Sequence, residues 1–301
     1  MTEVAYNLPT LPIERWSLHV QLAAPLHLPH LGSMLRGAFG HALKALACQC
    51  EGSQHQGCVY QQIFEPLAPA GWPQRFNNCP PAYVLTPPAG DARLRQAFCF
   101  DFTLLGPSLE HRGLIWQTWQ AAATRGFGPN QIRARLMPGN PQNLAVPATG
   151  TRRISLQLIS PMLLKRKVPG QAHSHPLGPQ DLTLHDLLVA LHRRLDIAQH
   201  LYGVPANLPP LADWLDQAAG IQLHTQLHDT HFARHSNRQQ QSMPLYGLMG
   251  TLQLQGNMSQ DLLAALALGQ WLHIGGKTAL GLGGYQIMTP QPPKLHFSQR
   301  D

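Results

Sequence analysis

The chain has 301 residues, and 44% of them are hydrophobic, enough to form the cores of two domains of ordinary size. Charged residues make up only 12%, and 22 basic residues outnumber 15 acidic ones. Only five of the basic residues are lysines, and arginine presents a planar fork of donors that matches phosphate oxygens. This bias suits a nucleic-acid partner, although charge that serves only solubility explains the composition about equally well.

The N-terminal region and the cysteine count indicate the compartment. Residues 1–15 lack a signal-peptide pattern, and no apolar run reaches the length of a membrane span. The five cysteines are an odd number, which argues against a disulfide scaffold. We therefore expect a cytoplasmic protein without membrane association.

Hydrophobic periodicity in the first half predicts the order strand, helix, strand, strand, helix, strand. Residues 48–80, after the first helix, are expected to be irregular. Ser108 is the predicted N-cap of the second helix. The predicted elements are strands at 15–23, 83–86, 97–105 and 131–137, and helices at 32–48 and 108–124.

After a Pro-, Gly- and Asn-rich break at residues 138–150, the same order returns. The second half has predicted strands at 153–160, 221–232, 245–254 and 284–288, and helices at 184–202 and 259–272, the latter with Ser259 as N-cap. The order βαββαβ is that of the ferredoxin-like fold. The sequence therefore predicts an α+β protein with two tandem ferredoxin-like (RRM-like) domains, at residues 1–140 and 151–301.

Residues 273–285, HIGGKTALGLGGY, form a glycine-rich loop between the last predicted helix and strand. Backbone N–H groups of such a loop can approach an anion, and Lys277 adds a cation. The GKT triplet is not a Walker A motif, because position 271 is Trp and a helix precedes the loop where a strand is required. A glycine-rich turn that only packs on the helix is the structural alternative.

The glycine-rich loop resembles the C-terminal loop of the RAMP-superfamily endoribonucleases that cut CRISPR precursor RNA. Four further segments resemble this family in the same order along the chain: 35–44 (LRGAFGHALK), the cysteine-bearing stretch 48–66, 160–167 (SPMLLKRK) and the polar stretch 234–250. The resemblance implies metal-independent cleavage within CRISPR repeats, without a cofactor. It also implies products with a 2′,3′-cyclic phosphate and a 5′-hydroxyl, and a place among the other subunits of a CRISPR effector complex.

The first predicted helix divides into two arcs at 100° per residue. The apolar arc is expected to be buried and holds Leu35, Ala38, Phe39, Ala42, Leu43 and Leu46. The polar arc holds Arg36, Gly37, Gly40, His41 and Lys44. Its two glycines would leave room for an RNA backbone.

The polar arc carries the candidate catalytic residues. RNA cleavage without a metal needs an acid, a base and a cation that stabilises the crowded phosphate. His41 can act as acid or base near neutral pH, and Lys44 and Arg36 can serve the phosphate. The family resemblance also implies a histidine at or near this helix, with His27 and His30 as rival candidates. A solvated helix face with an idle histidine is the alternative.

The remaining candidates for RNA binding are basic patches and the glycine-rich loop. Phosphate contacts at such patches supply affinity, although each patch alone is equally explained as a solvated surface. The predicted RNA-binding residues are Arg152, Arg153, Lys165, Arg166, Lys167, Arg234, Arg238, Gly275, Gly276, Lys277 and Thr278.

A cysteine-rich stretch raises the question of zinc: Cys48, Cys50, Cys58 and Cys79, with His55 nearby. The cysteine spacings do not match the usual ligand pairs with two to four intervening residues. Packing of buried thiols is the simpler interpretation, and no metal is predicted.

Three functions stay open: a ribonuclease that keeps its product, a non-catalytic crRNA-binding subunit, and a backbone subunit that polymerises along guide RNA.

Overall fold

The structure is a computed structural model. It describes residues 11–27, 31–50, 55, 57–73, 76, 79–89, 94–140, 142–167, 170, 173–203, 208–236 and 241–288, without the side chains of 232–245. Within the described part of the chain, no helix is both long and apolar enough to cross a membrane.

The first half is a four-stranded antiparallel sheet whose core is completed by helices. The strands are β1 (Ile13–His27), β2 (Tyr83–Thr86), β3 (Leu94–Leu105) and β4 (Ala134–Pro138), in the order β2-β3-β1-β4. The helices are α1 (Leu31–Ala47), the short α2 (Val59–Phe64) and α3 (Arg112–Arg125). Alternate residues of β1 are buried, as expected for a sheet with one covered face, and they pack with α1 and α3 in one apolar cluster.

The second half repeats this arrangement. Its sheet has the order β10-β5-β9-β8, formed by β5 (Arg153–Leu158), β8 (Gln222–Ser236), β9 (Gln241–Gln255) and β10 (Tyr285–Met288). A separate hairpin consists of β6 (Lys165–Lys167) and β7 (Ser174–Pro176). The helices are α4 (Leu184–Tyr202), α5 (Leu211–Gln217) and α6 (Gln260–Leu272). The prediction of two tandem ferredoxin-like units is thus confirmed.

Of the two predicted N-cap residues, Ser259 is confirmed and Ser108 is wrong. Ser259 is the N-cap of α6, and its hydroxyl accepts a hydrogen bond from the Leu262 amide at 3.2 Å. Ser108 is not the N-cap of α3. It lies buried in a 3₁₀ turn, Gly106–Leu109, where its hydroxyl donates to the Ala82 carbonyl at 2.6 Å. Helix α3 begins at Arg112, with His111 as its N-cap residue.

The two halves meet where the glycine-rich loop packs on β2. Gly281 has a φ of +79°, and a Cβ there would lie 2.7 Å from Pro87 Cδ and 3.0 Å from the Leu85 carbonyl oxygen. The 3₁₀ turn Thr278–Leu280 inside the loop contacts both β2 and α1. The fold therefore places the loop next to the helix that carries the candidate catalytic residues.

Candidate functional site

The candidate catalytic residues lie on one broad arc of α1. His41 and Lys44 are exposed, and Arg36 is partly buried. His41 forms no hydrogen bond with the described residues, and it precedes Lys44 by three positions, so the two side chains are neighbours on the helix surface. Around the helix, Lys44 lies between Arg36 and His41.

The two cations of this arc lie over aromatic rings of α2. The guanidinium carbon of Arg36 is 4.4 Å from the ring centroid of Phe64. Nζ of Lys44 is 5.9 Å from the ring centroid of Tyr60. Both distances fit cation–π contacts, which restrain the positions of the two charges. The rings of α2 thus form a floor beneath Arg36 and Lys44, which we call the aromatic floor.

Two expectations about the first helix are wrong, and α2 explains one of them. Gly40 does not leave room for RNA, because a Cβ there would lie 2.3 Å from Cζ of Phe64. Gly37 does face open space, since a Cβ at this position would have no atom within 4 Å. Leu46, expected to be buried, is 50% exposed in the last turn of α1. The surface open to RNA is therefore narrower than the polar arc and centres on Gly37 and His41.

The rival histidines lie upstream of α1. His27 is the last residue of β1 and is exposed. His30 lies outside the described residues. The structure therefore leaves His41 as the described histidine that shares a helix face with Lys44.

Several glycines of the loop let its backbone pack closely against residues 160–164. The Gly276 amide donates to the Leu163 carbonyl at 2.8 Å, and the Gly283 amide donates to the Pro161 carbonyl at 2.9 Å. Gly275 has a φ of +89°, and a Cβ there would lie 2.6 Å from the Leu163 oxygen. Since the Gly276 amide is engaged within the protein, the expected cradle of N–H groups does not include it. Lys277 is exposed beside these glycines.

His273, the first residue of the loop, is fully buried. Its Nε2 lies 2.8 Å from the Thr86 hydroxyl, and its Nδ1 lies 3.1 Å from the Leu282 carbonyl. Burial lowers the pKa of His273 to about 3, and the positive charge of Arg15 acts in the same direction. His273 is therefore neutral and structural, and does not exchange protons with RNA at neutral pH.

The hairpin of β6 and β7 adjoins the loop, because β6 begins directly after Leu164. Alternation along β6 places Lys165 and Lys167 on one face and Arg166 on the other. Both lysines are exposed. The structure thus brings Lys165 and Lys167 close to the segment that supports Lys277.

Arg166 has a different environment from its neighbours on β6. Its Nε lies 2.8 Å from Oδ1 of Asp186, and its Nη2 donates to the Asp181 carbonyl at 2.8 Å. Partial burial raises the pKa of Asp186, but hydrogen bonds from Arg166 and Thr183 outweigh it and lower the pKa to about 2. Asp186 also completes the capping box of α4 with Thr183. Arg166 therefore ties the hairpin to the start of α4.

The remaining predicted RNA-binding residues are spread over the second sheet. Arg153 pairs with Gln255 of β9, whereas Leu248 of β9 is bridged to Met162 near the loop. The seven positions between Gln255 and Leu248 correspond to roughly 23 Å of strand. Arg152 and Arg153, both exposed, therefore lie at the opposite end of the sheet from the loop.

Arg234 lies in the part of β8 that continues past Leu248 toward the loop's end of the sheet, opposite Met243. Its side chain is not described. Arg238 lies outside the described residues.

A cavity of about 690 Å³ lies beside β1, away from α1. Three tryptophans line it, Trp16, Trp116 and Trp271, and indole rings are good platforms for bases. Arg112 at its rim is paired with Glu14 at 2.7 Å. The sequence does not predict this group, because no spacing connects positions 16, 116 and 271. The signal available was the presence of six tryptophans in a basic chain.

Comparison with known proteins finds similarity to two family models, one in each half of the chain. The family model of the CRISPR-associated endoribonuclease Cas6 matches residues 156–285, the stretch that contains the β6 hairpin and the glycine-rich loop. The C-terminal unit of the chain is therefore similar to the CRISPR RNA-processing Cas6 endoribonucleases. A second family model, described only as an N-terminal domain, matches residues 11–148, which include α1. No curated protein matches the sequence.

Solved Cas6 structures share the fold over nearly the whole chain. A Cas6 product complex has a TM-score of 0.61 at 13% identity, covering 91% of this chain and 99% of that one. A Cas6-related protein from Pyrococcus furiosus has a TM-score of 0.52 at 11% identity, covering 92% and 100%. A chain of a Cas6-RT-Cas1–Cas2 complex has a TM-score of 0.60 at 16% identity, covering 94% of this chain and 47% of that one. At these identities the likeness establishes the fold.

Proposed function

We propose that this chain cleaves CRISPR precursor RNA within its repeats, without a catalytic metal ion, at the exposed face of α1. The observation that supports this proposal is the position of His41, a solvent-accessible imidazole beside Lys44 on the helix that contacts the glycine-rich loop. The proposal divides the chain into a catalytic N-terminal unit, residues 1–140, and an RNA-holding C-terminal unit, residues 151–301.

In the proposed reaction the ribose 2′-oxygen attacks the adjacent phosphorus, and the bond from phosphorus to the 5′-oxygen breaks. The 2′-hydroxyl proton leaves to a base, and the departing 5′-oxygen takes a proton from an acid. The products are a 2′,3′-cyclic phosphate and a 5′-hydroxyl. His41 performs one of the two proton transfers. Lys44 and Arg36, restrained over the aromatic floor, stabilise the negative charge that builds on the phosphate.

We assign RNA binding to the glycine-rich loop and to basic groups of the C-terminal unit. Lys277 is exposed after the packed glycines Gly275 and Gly276, whereas the Thr278 side chain is buried and leaves its backbone as the proposed contact. The exposed lysines of β6 adjoin this loop. Arg234, on β8, and Arg238 are further proposed contacts, and Arg152 and Arg153 contact a more distant part of the RNA. Such contacts give affinity through phosphate neutralisation. The same contacts hold the cleaved crRNA, and the chain delivers it to other subunits of a CRISPR effector complex.

The proposal is tested with the full chain and an end-labelled cognate repeat RNA in excess EDTA. We expect cleavage at one position, with a 5′-hydroxyl on the downstream product. The upstream product should change its gel mobility only after acid opening and phosphatase treatment, as a cyclic phosphate requires. Cleavage that starts only when Mg²⁺ is restored would contradict the proposed chemistry.

A second function, a crRNA-binding subunit without cleavage, is favoured by one observation. No described residue forms a hydrogen bond with His41, so nothing described in the free chain orients its imidazole, whereas general bases usually have an orienting partner. Tight binding of repeat RNA without cleavage under any metal condition would support this function.

A further inference from the structure

Three thiols and one imidazole converge between α1 and α2. The ligand atoms of Cys48, Cys50, His55 and Cys58 all lie within 4.8 Å of one another. Sγ of Cys48 is 3.1 Å from Nδ1 of His55. Around a tetrahedral zinc ion, with bonds of about 2.0–2.3 Å, ligand atoms lie roughly 3.5–3.8 Å apart, so small side-chain adjustments suffice to close the shell. We propose that Cys48, Cys50, His55 and Cys58 bind one zinc ion.

Packing of thiols does not explain this convergence. Cys48 and Cys58 border the N-terminal core, so apolar packing accounts for them. It does not account for Cys50 and His55, which meet them at the same point. Cys79, the fourth cysteine of this stretch, lies apart, with its sulfur 3.8 Å from the Pro80 carbonyl oxygen. The fourth ligand is therefore His55 and not Cys79, and the other three are Cys48, Cys50 and Cys58.

The fold also explains why the spacing of the cysteines along the chain does not match that of common zinc sites. Cys48 directly follows α1, and Cys58 is the N-cap residue of α2, where its side chain makes no capping hydrogen bond. The ends of the two helices bring these sulfurs together, so the intervening residue count does not need to follow that of a zinc finger. Cys and His ligands without carboxylates favour zinc over the hard cations magnesium and calcium.

Hydrogen bonds outside the ligand shell hold the backbone of His55 and Gly57 against α2. The Gly57 amide donates to Oε1 of Gln61 at 2.7 Å, and Nε2 of Gln61 donates to the His55 carbonyl. Nε2 of Gln62 donates to the Gly57 carbonyl at 3.3 Å. These contacts fix the backbone on both sides of the proposed ligands His55 and Cys58 to α2.

The site has a structural role beside the proposed catalytic face. Four protein ligands close the coordination shell, so the zinc has no open position for a substrate. The ring of His55 contacts the edge of Tyr60 at 4.9 Å between centroids, and Tyr60 lies beneath Lys44. Zinc binding would therefore fasten α2 to the end of α1 and hold the aromatic floor in place. This inference does not depend on whether the chain cleaves RNA.

Metal analysis of the full chain, purified without chelators, tests the inference. We expect about one zinc ion per chain, as for a closed four-ligand site. Cys50→Ser should reduce the zinc content several-fold, whereas the matched variants Cys79→Ser and Cys99→Ser should keep it. Folding of each variant is checked by circular dichroism. Equal loss in Cys79→Ser and Cys50→Ser would overturn the assignment of ligands.

Cobalt provides a second readout on the wild-type chain, which is needed if Cys50→Ser fails to fold. The zinc-free chain should bind Co²⁺ with a one-to-one endpoint, intense visible bands of tetrahedral geometry and a sulfur-to-cobalt charge-transfer band. Added zinc should abolish these bands. A folded wild-type chain that contains no zinc and develops no cobalt bands would overturn the inference.

Discussion

The hydroxyl of Thr86 and Nε2 of His273 lie 2.8 Å apart, across the contact between the first sheet and the glycine-rich loop. Because the carbonyl of Leu282 can only accept, Nδ1 of His273 carries the proton, and Nε2 accepts from Thr86. Both ring nitrogens are therefore paired while the imidazole is neutral. This arrangement anchors the glycine-rich loop to the strand next to α1, and protonation of the imidazole would place a buried charge beside Arg15.

The first prediction concerns pH. The pKa of His273 is about 3 in the folded chain, mainly because of burial, against an ordinary value of 6.5. Between these values the unfolded chain binds a proton that the folded chain does not, so the free energy of unfolding should fall as pH drops below about 6.5. His273→Gln should be less stable than wild type near pH 7.5, by about 1–3 kcal/mol for lost hydrogen bonds. The difference should narrow near pH 5, as measured by urea unfolding. A difference that stays constant with pH would contradict this role.

The second prediction uses two glycines of α1. Gly40→Ala should destabilise the chain by about 1–3 kcal/mol, because its Cβ would overlap the ring of Phe64 and displace α2. In Gly37→Ala the new Cβ would face open space. This substitution should therefore stabilise the helix by about 0.5–1 kcal/mol. Thermal unfolding followed by circular dichroism measures both. Equal effects of the two substitutions would show that α2 does not pack on Gly40.

The third prediction distinguishes proposed RNA contacts, on β6 and in the glycine-rich loop, from a structural contact of Arg166 on β6. Lys165→Ala and Lys277→Ala should each weaken binding of repeat RNA and reduce the slope of log affinity on log salt by about 0.7–0.9, the value for one phosphate contact. The melting temperature of Lys165→Ala should stay close to wild type. Arg166→Ala should instead lower the melting temperature, because Asp186 loses its partner. The reverse pattern would mean that Arg166 is the RNA contact.

Much of the fold follows from local sequence patterns. Helix α4 matches its predicted bounds because the chain has strong apolar periodicity behind a capping box of Thr183 and Asp186. Strand β2 also matches, as a short apolar run flanked by prolines. The six residues of α2 are fewer than two turns, too short for a periodic signal. For that reason the burial of Gly40 and the aromatic floor were not predicted.

The candidate site was predictable only in part. The polar arc of α1 follows from helical geometry alone, and His41 and Lys44 lie on it as expected. The pairing of Arg166 with Asp186 is a contact across twenty positions, which no periodicity reveals. The convergence of Cys50 and His55 depends on the placement of α2, so residue spacing argued against zinc where the fold supports it.

The fourth prediction concerns His41 itself. Because His41 is exposed and forms no hydrogen bond with the described residues, His41→Ala should melt close to wild type and bind repeat RNA with similar affinity. His185 is also an exposed histidine, but it lies on α4. His185→Ala is therefore a matched control and should cleave like wild type. Lys44 and Arg36 remain in the His41 variant, so residual cleavage is expected.

The most direct test of the account is single-turnover cleavage of labelled repeat RNA at saturating protein, in EDTA, by wild type and His41→Ala. A brief incubation, with zinc content checked afterwards, separates the chemistry from any loss of the proposed structural ion. The account predicts metal-free cleavage by wild type and a rate roughly a hundredfold or more lower for His41→Ala, the usual scale of general acid–base catalysis. Cleavage by His41→Ala at the wild-type rate would contradict it.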